Sequence, residues 1–256
     1  MSEADPLAGV ATGAPALNVA GRFLSGAWTG LVMLNWEVDP AILRPYVPRG
    51  TELDAWRGRT FVSCVGFMFE DTRLLGIPIP FHRRFEEVNL RFYVGRRGPE
   101  GWRRGVCFIR EIVPRWAIAA TARAVYNERY VSLPMRHAVS LGANGGTVEY
   151  GWRFGGRWCS VGARVSGASR PLVPGSEEEF ITEHYWGYAA QRDGGTVEYR
   201  VEHPSWRVWA ADDARLDADV AALYGAEFAA PLAAAPSSAF VADGSPITVR
   251  RARRIA

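Results

Sequence analysis

One strand-like segment of the chain carries a row of chemically different polar groups on one face. Apolar and polar side chains alternate over residues 86–94, so Glu87, Asn89, Arg91 and Tyr93 point to the same side. A carboxyl group can exchange protons, an amide can donate and accept hydrogen bonds, and a guanidinium can bind an anion through two parallel bonds. In an open sheet this row would face water, whereas in a closed sheet it would line a pocket. The pattern alone leaves both interpretations open.

A second polar group follows an alanine-rich segment and precedes Pro134. Its candidate ligand contacts are Arg123, Tyr126 and Arg129. Loops that are held by a rigid scaffold frequently carry binding sites, which favours a site here. An exposed connection with arginines near a helix end explains the same residues equally well.

His203 is the best-placed of the four histidines for chemistry, because it follows Val197, Tyr199 and Val201 on one face of a predicted strand. A satisfied core histidine, an acid–base or ligand contact and a metal ligand are all compatible with that position. The histidines show no HxH or HExxH spacing, so no metal or other cofactor is predicted. The stripe Phe180, His184 and Tyr188 has helical spacing and indicates packing more than catalysis.

The chain contains no lysine, so all 30 of its basic side chains are arginines. This excludes a Schiff base to a lysine, a lysine general base, lysine-bound pyridoxal phosphate and a P-loop lysine. Arginine cannot take over as a nucleophile, because it stays protonated. The formal net charge is only +3, and no nucleic-acid partner is predicted.

The length of 256 residues and the 48% content of hydrophobic residues suit one domain with a sizeable core. We predict a loose arm over residues 1–18, followed by a single α+β domain over residues 19–256. An antiparallel, barrel-like sheet with flanking helices dominates this domain. The predicted elements are a short helix opened by Asp39-Pro40, strands over 31–38, 59–70, 86–94, 105–112 and 196–203, a helix over 114–126, a hairpin turned at Gly155-Gly156, and helices over 176–190 and 213–224.

The cysteines and the N-terminal segment indicate the compartment. Cys64, Cys107 and Cys159 are widely spaced within apolar runs, which predicts buried free thiols in a reducing environment. The N-terminal residues lack the basic and apolar regions of a signal peptide, and there is no apolar run of about 18 residues. We therefore predict a cytoplasmic protein without a membrane partner.

Four segments together resemble the YqjF-like family of bacterial proteins. They are Phe85–Val94 (FEEVNLRFYV), Gly105–Phe108 (GVCF), Glu183–Tyr188 (EHYWGY) and Val201–Trp206 (VEHPSW). That family resembles a branch of the acetoacetate-decarboxylase-like superfamily, which implies a β-barrel or double-sheet core with a central cavity and flanking helices. The resemblance shifts the interpretation of the polar face of residues 86–94 toward a pocket.

The same resemblance implies a change in chemistry. Glu128 and Arg129 fall near the position of the paired lysines of the decarboxylases, and Glu87 falls near a pocket carboxylate of those enzymes. Neither Glu128 nor Arg129 can form an imine. The Schiff-base decarboxylation of the superfamily is therefore not expected here.

Together these observations predict a small-molecule-binding barrel pocket whose ligand is a carboxylate or another small anion. The predicted acid–base groups are Glu87 and His203, and the predicted ligand contacts are Asn89, Arg91, Arg123, Tyr126 and Arg129. A lysine-independent lyase, isomerase or cyclase acting on an oxygenated acid is one hypothesis. The alternatives are a non-catalytic ligand-binding or regulatory protein, and a structural or interaction module whose barrel is filled by its own aromatic side chains. A homo-oligomer is compatible with each.

Overall fold

The computed structural model describes residues 21–78, 80, 82–116 and 127–256. The predicted arm over residues 1–18 lies outside the described residues. So do the candidate ligand contacts Arg123 and Tyr126, and most of the helix that was predicted over residues 114–126.

Strands dominate the described chain and the helices are short, which agrees with the predicted α+β class. The strands are β1 (Arg22–Val38), β2 (Glu52–Leu53), β3 (Thr60–Leu74), β4 (Ile77–Pro78), β5 (Phe85–Gly98), β6 (Gly101–Val113), β7 (Tyr130–Ser132), β8 (Met135–Gly142), β9 (Gly145–Phe154), β10 (Arg157–Ser166), β11 (Arg170–Pro171), β12 (Trp186–Ala190), β13 (Thr196–Glu202), β14 (Arg207–Asp217), β15 (Ser238–Arg250) and β16 (Arg253–Arg254). The described helices are α1 (Pro40–Leu43), a 3-10 turn (Arg44–Tyr46), α2 (Glu177–Thr182), α3 (Val220–Tyr224) and α4 (Ala226–Ala233).

Hydrogen bonds join seven of the strands into a ring. The strand order is β13–β12–β6–β5–β3–β1–β15, and Val201 of β13 pairs with Val249 of β15 to return to the start. Neighbours in the ring are antiparallel, except that Trp186 of β12 pairs in parallel with Gly105 of β6. Because side chains alternate along each strand, one face of every strand points into a shared interior.

A second sheet packs against the ring and is continuous with it. Its order is β8–β9–β10–β14, and β14 also pairs with β15 of the ring. The predicted hairpin is confirmed: Arg157 pairs with Phe154 across a two-residue turn at Gly155 and Gly156. Both glycines have positive φ angles, +57° and +82°, which a two-residue hairpin turn commonly requires and other residues rarely adopt.

Strand β5 shows how the alternating sequence separates two layers. Val88, Leu90, Phe92 and Val94 are fully buried in the cluster that the ring shares with the second sheet. Burying each such side chain stabilises the fold by roughly 1.5–3 kcal/mol. The opposite face of β5 points into the ring. The structure thereby orients the polar row of β5 toward the interior and away from solvent.

One predicted helix is much shorter than the sequence suggests. Ser176 caps α2 as expected, accepting a hydrogen bond from the Glu179 amide, but the helix ends at Thr182 instead of continuing to residue 190. Residues 186–190 form β12, which pairs with β13 and with β6. Sheet pairing on both edges outweighs the helical pattern of this segment. The stripe Phe180, His184 and Tyr188 is therefore not a helix face.

The helix predicted over residues 213–224 is also only partly correct. Residues up to Asp217 extend β14, where Ala214 pairs with Ala163 of β10. The helix α3 begins only at Val220, after Asp219, whose side chain accepts from the Ala222 amide. The predicted start at residue 213 is wrong because pairing with β10 keeps the segment extended through Asp217.

The predictions for the Asp39 cap and for the cysteines are confirmed. Asp39 caps α1 by accepting a hydrogen bond from the Ala41 amide at 2.7 Å, and Pro40 occupies the first helical position. All three cysteines are buried and unpaired. Within the described ranges, no helix is long and apolar enough to cross a membrane.

Candidate functional site

A cavity of about 320 Å³ opens inside the ring of strands. Its walls are mostly apolar and rich in aromatic rings, as is usual for small-molecule sites. The aromatic lining is Phe23, Trp28, Phe67, Phe69, Phe85, Phe108, Tyr130, Trp186, Tyr199 and Trp206. The charged, titratable and amide lining is His82, Glu87, Asn89, Arg91, Glu111, Glu128, His184 and His203.

Strand β5 delivers three of the predicted site residues to this cavity. Glu87, Asn89 and Arg91 all line it, and at most 9% of each is exposed to solvent. The open-sheet alternative, in which this row faces water, is wrong for this chain. The ring places the β5 face in the interior, where desolvation changes the chemistry of each group.

The pKa of the Glu87 carboxyl group lies close to neutral pH. Asn89 Nδ2 donates to Glu87 Oε1 at 3.1 Å, and the Tyr130 hydroxyl donates to Oε2 at 3.1 Å. Burial raises the pKa of Glu87 to about 7, against the lowering effect of these two bonds and of the Arg91 charge. A group with this pKa can both release and accept a proton at neutral pH.

Two further glutamates lie beside Glu87. Glu111 of β6 is paired with Asn89 of β5, and Glu128 lies just before β7. Burial raises the pKa of Glu128 to about 8, partly offset by the Tyr199 hydroxyl, which donates to its Oε1 at 2.9 Å. Burial and the neighbouring carboxyls Glu128 and Glu87 raise the pKa of Glu111 well above its ordinary value. We call Glu87, Glu111 and Glu128 the acidic end of the cavity.

Arg91 provides the positive charge of the cavity lining. Its Nη2 donates to the backbone oxygen of Ile181 at 3.3 Å, and the guanidinium lies 5.7 Å from the ring centre of Tyr93. In the part of the chain that the structure describes, no carboxylate forms an ion pair with it. A buried guanidinium without such a partner favours an anion from outside the protein.

His203 also lines the cavity, as predicted, and packs among aromatic rings. Its ring stacks on Trp206 with 4.3 Å between centres, and Tyr185 lies 4.8 Å away. Nδ1 is 3.0 Å from the carbonyl oxygen of Pro204, which can only accept, so Nδ1 carries the proton and Nε2 keeps a lone pair. Burial lowers the pKa of His203 to about 4, so the ring is neutral at physiological pH.

A histidine–aspartate pair at the cavity wall was not predicted from the sequence. His184 Nε2 is 3.1 Å from Asp54 Oδ2, and the same oxygen accepts from Arg104 Nε at 2.7 Å. Burial alone would raise the pKa of Asp54, but His184 and Arg104 together lower it, so the carboxylate is ionised. His184 therefore donates from Nε2, and its Nδ1 is buried without a hydrogen-bond partner among the described residues.

The structure does not bring Arg129 into the main cavity. The side chain is exposed and lies over the ring of Tyr46, with 5.3 Å to the ring centre. Both residues border a separate pocket of about 30 Å³. Of the predicted site residues, Glu87, Asn89, Arg91 and His203 come together, Arg129 does not, and Arg123 and Tyr126 are not described.

The cavity brings a carboxyl group that can exchange protons and a guanidinium group into one enclosed space. Burial raises the pKa of Glu87 to about 7, and Arg91 can hold a carboxylate in the same cavity. Over residues 21–78, 80, 82–116 and 127–256, no group of three His, Cys, Asp or Glu side chains has the arrangement of a metal site.

The sequence of this chain matches a family model and a bacterial protein. The model of the family DUF2071, described as an uncharacterized conserved protein, matches residues 25–246. The uncharacterized protein YqjF of Bacillus subtilis (strain 168) is 29% identical over 184 residues, which cover 69% of this chain and 72% of that protein.

Solved structures with the same fold include enzymes. The enduracididine biosynthesis enzyme MppR, complexed with the condensation product of pyruvate and imidazole 4-carboxaldehyde, superposes with a TM-score of 0.65 at 15% identity, over 93% of this chain and 92% of that one. Acetoacetate decarboxylase from Legionella pneumophila superposes with a TM-score of 0.63 at 15% identity, over 96% and 93%. At such identities the likeness establishes the fold alone.

Proposed function

The chain belongs to the DUF2071 family, and within its acetoacetate-decarboxylase-like fold we propose a lysine-free acid–base site that binds and transforms a small oxygenated carboxylic acid. The reaction class is that of a lyase, isomerase or cyclase. The observation that carries the proposal is Glu87, a buried carboxyl group with a pKa of about 7 that lines the same cavity as Arg91.

Arg91 is the proposed anchor for the carboxylate of the ligand. A bound carboxylate would give the guanidinium the anionic partner that the described residues do not supply. The apolar walls exclude water, so that this charge-assisted contact is stronger than it would be at the surface. The known complexes of MppR include one with pyruvate, so this fold accommodates a small keto acid in at least one other protein.

Glu87 is the proposed general base and acid. At neutral pH a substantial fraction of it is ionised and can remove a proton from the carbon next to the keto or hydroxyl-bearing carbon of the ligand. His203 Nε2 is a neutral acceptor that can orient a hydroxyl group, and the hydroxyls of Tyr130 and Tyr199 can relay protons to the neighbouring carboxyls. No step requires an amine nucleophile.

The two alternative functions differ from this one in observable ways. A filled interior is disfavoured, because the described residues leave about 320 Å³ open. A non-catalytic binder would use the same Arg91 contact but would leave its ligand unchanged.

The test combines binding and turnover. Incubate the protein with panels of α-keto and α-hydroxy acids, record the shift of the melting temperature, and follow products by mass spectrometry. We expect at least one acid to bind and to be converted, and R91Q to weaken its binding about tenfold or more. The matched control is R164Q, which removes an exposed arginine outside the cavity.

The possible outcomes distinguish an enzyme from a non-catalytic binder and test the role of Arg91. Binding that depends on Arg91 without any product would support the non-catalytic binder. Binding and conversion that are unchanged in R91Q would contradict the proposed anchor, and no binding of any acid would contradict the proposal as a whole.

A further inference from the structure

The acidic end of the cavity concentrates three buried carboxyl groups, and none of them is paired with an arginine of the described residues. Three carboxyl groups, Glu87, Glu111 and Glu128, converge from β5, β6 and the segment before β7. Each is at least 94% buried. Arg91 is the one arginine in the described cavity lining, and no arginine of the described residues forms an ion pair with any of the three carboxyls.

The hydrogen-bonding groups at this end are unbalanced. The donors at this end include the Asn89 amide to Glu87, the Tyr130 hydroxyl to Glu87 and Glu111, and the Tyr199 hydroxyl to Glu128. Two buried atoms have no partner among the described residues, Asn89 Oδ1 and Glu111 Oε2. The amide oxygen of Asn89 can only accept, and the Glu111 oxygen accepts whenever that carboxyl group is ionised. The unmet requirement is thus for donors, and the orphaned Asn89 oxygen shows it independently of the carboxyl cluster.

The walls next to this end suit a cation. The rings of Phe67, Phe69, Phe85 and Phe108 line the cavity together with the three glutamates. The electron-rich face of an aromatic ring attracts an organic cation once water is excluded. A protonated nitrogen would therefore gain from both the carboxyls and the rings, and it would supply N–H donors to the two orphaned oxygens.

We infer that the ligand of this site carries a protonated nitrogen in addition to its carboxylate, and that this nitrogen binds among Glu87, Glu111 and Glu128. The inference rests on the proposed function, because Arg91 holds the other end of the ligand. Asn89 and Arg91 are two residues apart along β5, so their side chains leave the strand about 7 Å apart. Glu111 lies opposite Asn89. The ligand is therefore an amino acid whose amine is separated from the carboxylate by a few carbon atoms.

The test compares pairs of compounds that differ only in the amine. Measure by calorimetry at neutral pH the binding of γ-aminobutyrate, δ-aminovalerate and ε-aminocaproate, and of butyrate, valerate and caproate. We expect the best amino compound to bind at least about tenfold more tightly than the acid with the same carbon chain. In E111Q that gain should fall below about threefold while the affinity for the plain acid stays within about twofold.

The control and the contrary outcomes separate this inference from the proposed function. E149Q makes the same substitution on β9, outside the cavity, and should keep the full gain. If the plain acids bind in an Arg91-dependent way and the amine adds nothing, the carboxyls satisfy one another by sharing protons, and the inference fails while the anchor stands. If the gain persists in E111Q, the nitrogen binds elsewhere and the inference also fails. If neither series binds, both fail.

Discussion

The buried glutamates show how desolvation prepares a carboxyl group for chemistry at neutral pH. The same burial carries a consequence for stability, because the folded state holds these protons more tightly than the unfolded chain. Glu128 has a pKa of about 8 in the folded protein, against 4.5 for an unperturbed glutamate. Its protonated form thus stabilises the fold fully below pH 4.5, and this contribution is lost as the pH rises through about 8.

The substitution E128Q should therefore stabilise the protein selectively at high pH. We expect the melting temperature of E128Q, relative to the wild type, to rise between pH 4.5 and pH 8. About 2–4 °C is expected for each kcal/mol that the neutral side chain recovers. Differential scanning calorimetry at several pH values measures this, with E149Q as the control. A difference that is flat with pH would show that Glu128 is ionised in the folded protein throughout this range.

Asp54 orients His184 and neutralises Arg104, so it should be hard to replace. Asn at this position (D54N) leaves the Arg104 guanidinium without its carboxylate partner in a largely buried place. We expect a loss of about 3–5 kcal/mol in the free energy of unfolding, because one member of a buried ion pair is removed. Urea denaturation measures it. A loss below about 1 kcal/mol would mean that this pair behaves like a surface ion pair.

Sheet pairing explains which parts of the site could be predicted from the sequence. The alternation over residues 86–94 correctly separates core residues from Glu87, Asn89 and Arg91, because a strand has a fixed period of two. Glu111 could not be found in this way. Arg91 pairs with Phe108 and Leu90 pairs with Arg110, so Ile109 is an extra residue in β6. This bulge directs Glu111 instead of Arg110 into the cavity, and no local sequence pattern predicts the bulge.

Long-range pairing also overrides local helix signals. The cap at Ser176 was predicted correctly, but residues 186–190 become β12 because β6 and β13 offer hydrogen bonds on both edges. His184 therefore lies in the connection between α2 and β12, where it meets Asp54. No spacing in the sequence relates these two residues, which are 130 positions apart.

Gly187 of β12 gives a direct test of how this strand supports the acidic end. A Cβ atom at this position would lie 2.1 Å from Cζ of Tyr199, whose hydroxyl donates to Glu128. We expect G187A to displace the Tyr199 ring and to cost about 1–3 kcal/mol in the free energy of unfolding. Gly142 is the matched control, because its nearest contact would be at 4.0 Å, and G142A should be close to neutral. Equal effects of the two variants would contradict the close packing of β12 on Tyr199.

The ring as a whole is reinforced where its last strands meet. Glu198 of β13 is fully buried and accepts from Arg103 of β6 at 2.6 Å, from Arg96 of β5 at 3.0 Å and from Arg253 of β16 at 2.6 Å. One carboxylate thus links four strands. Its removal would leave the buried Arg103 guanidinium with Glu100 as its remaining carboxylate partner.

The substitution E198Q should accordingly lower the free energy of unfolding by about 3–5 kcal/mol. D217N is the comparison, since Asp217 is 65% exposed in its ion pair with Arg157 and should contribute little. Thermal denaturation of the two variants in parallel measures the contrast. Similar melting temperatures would show that Glu198 does not couple the strands energetically.

We propose that the lysine-free cavity performs acid–base chemistry through Glu87. Hydrogen exchange tests it most directly: incubate an α-keto acid that binds the protein in heavy water and follow by NMR the loss of the protons next to its keto group. Glu87 lies close to Asn89, Tyr130 and Arg91. Glu111 and Glu128 titrate together with it, so the apparent pKa belongs to the three glutamates as a cluster. In the wild-type protein the exchange rate should rise with pH through about 7. In E87Q the rate should be lower by about a hundredfold or more, and in the control E149Q it should equal the wild-type rate. Exchange that is equally fast in E87Q, or that shows no rise near neutrality, would contradict the account.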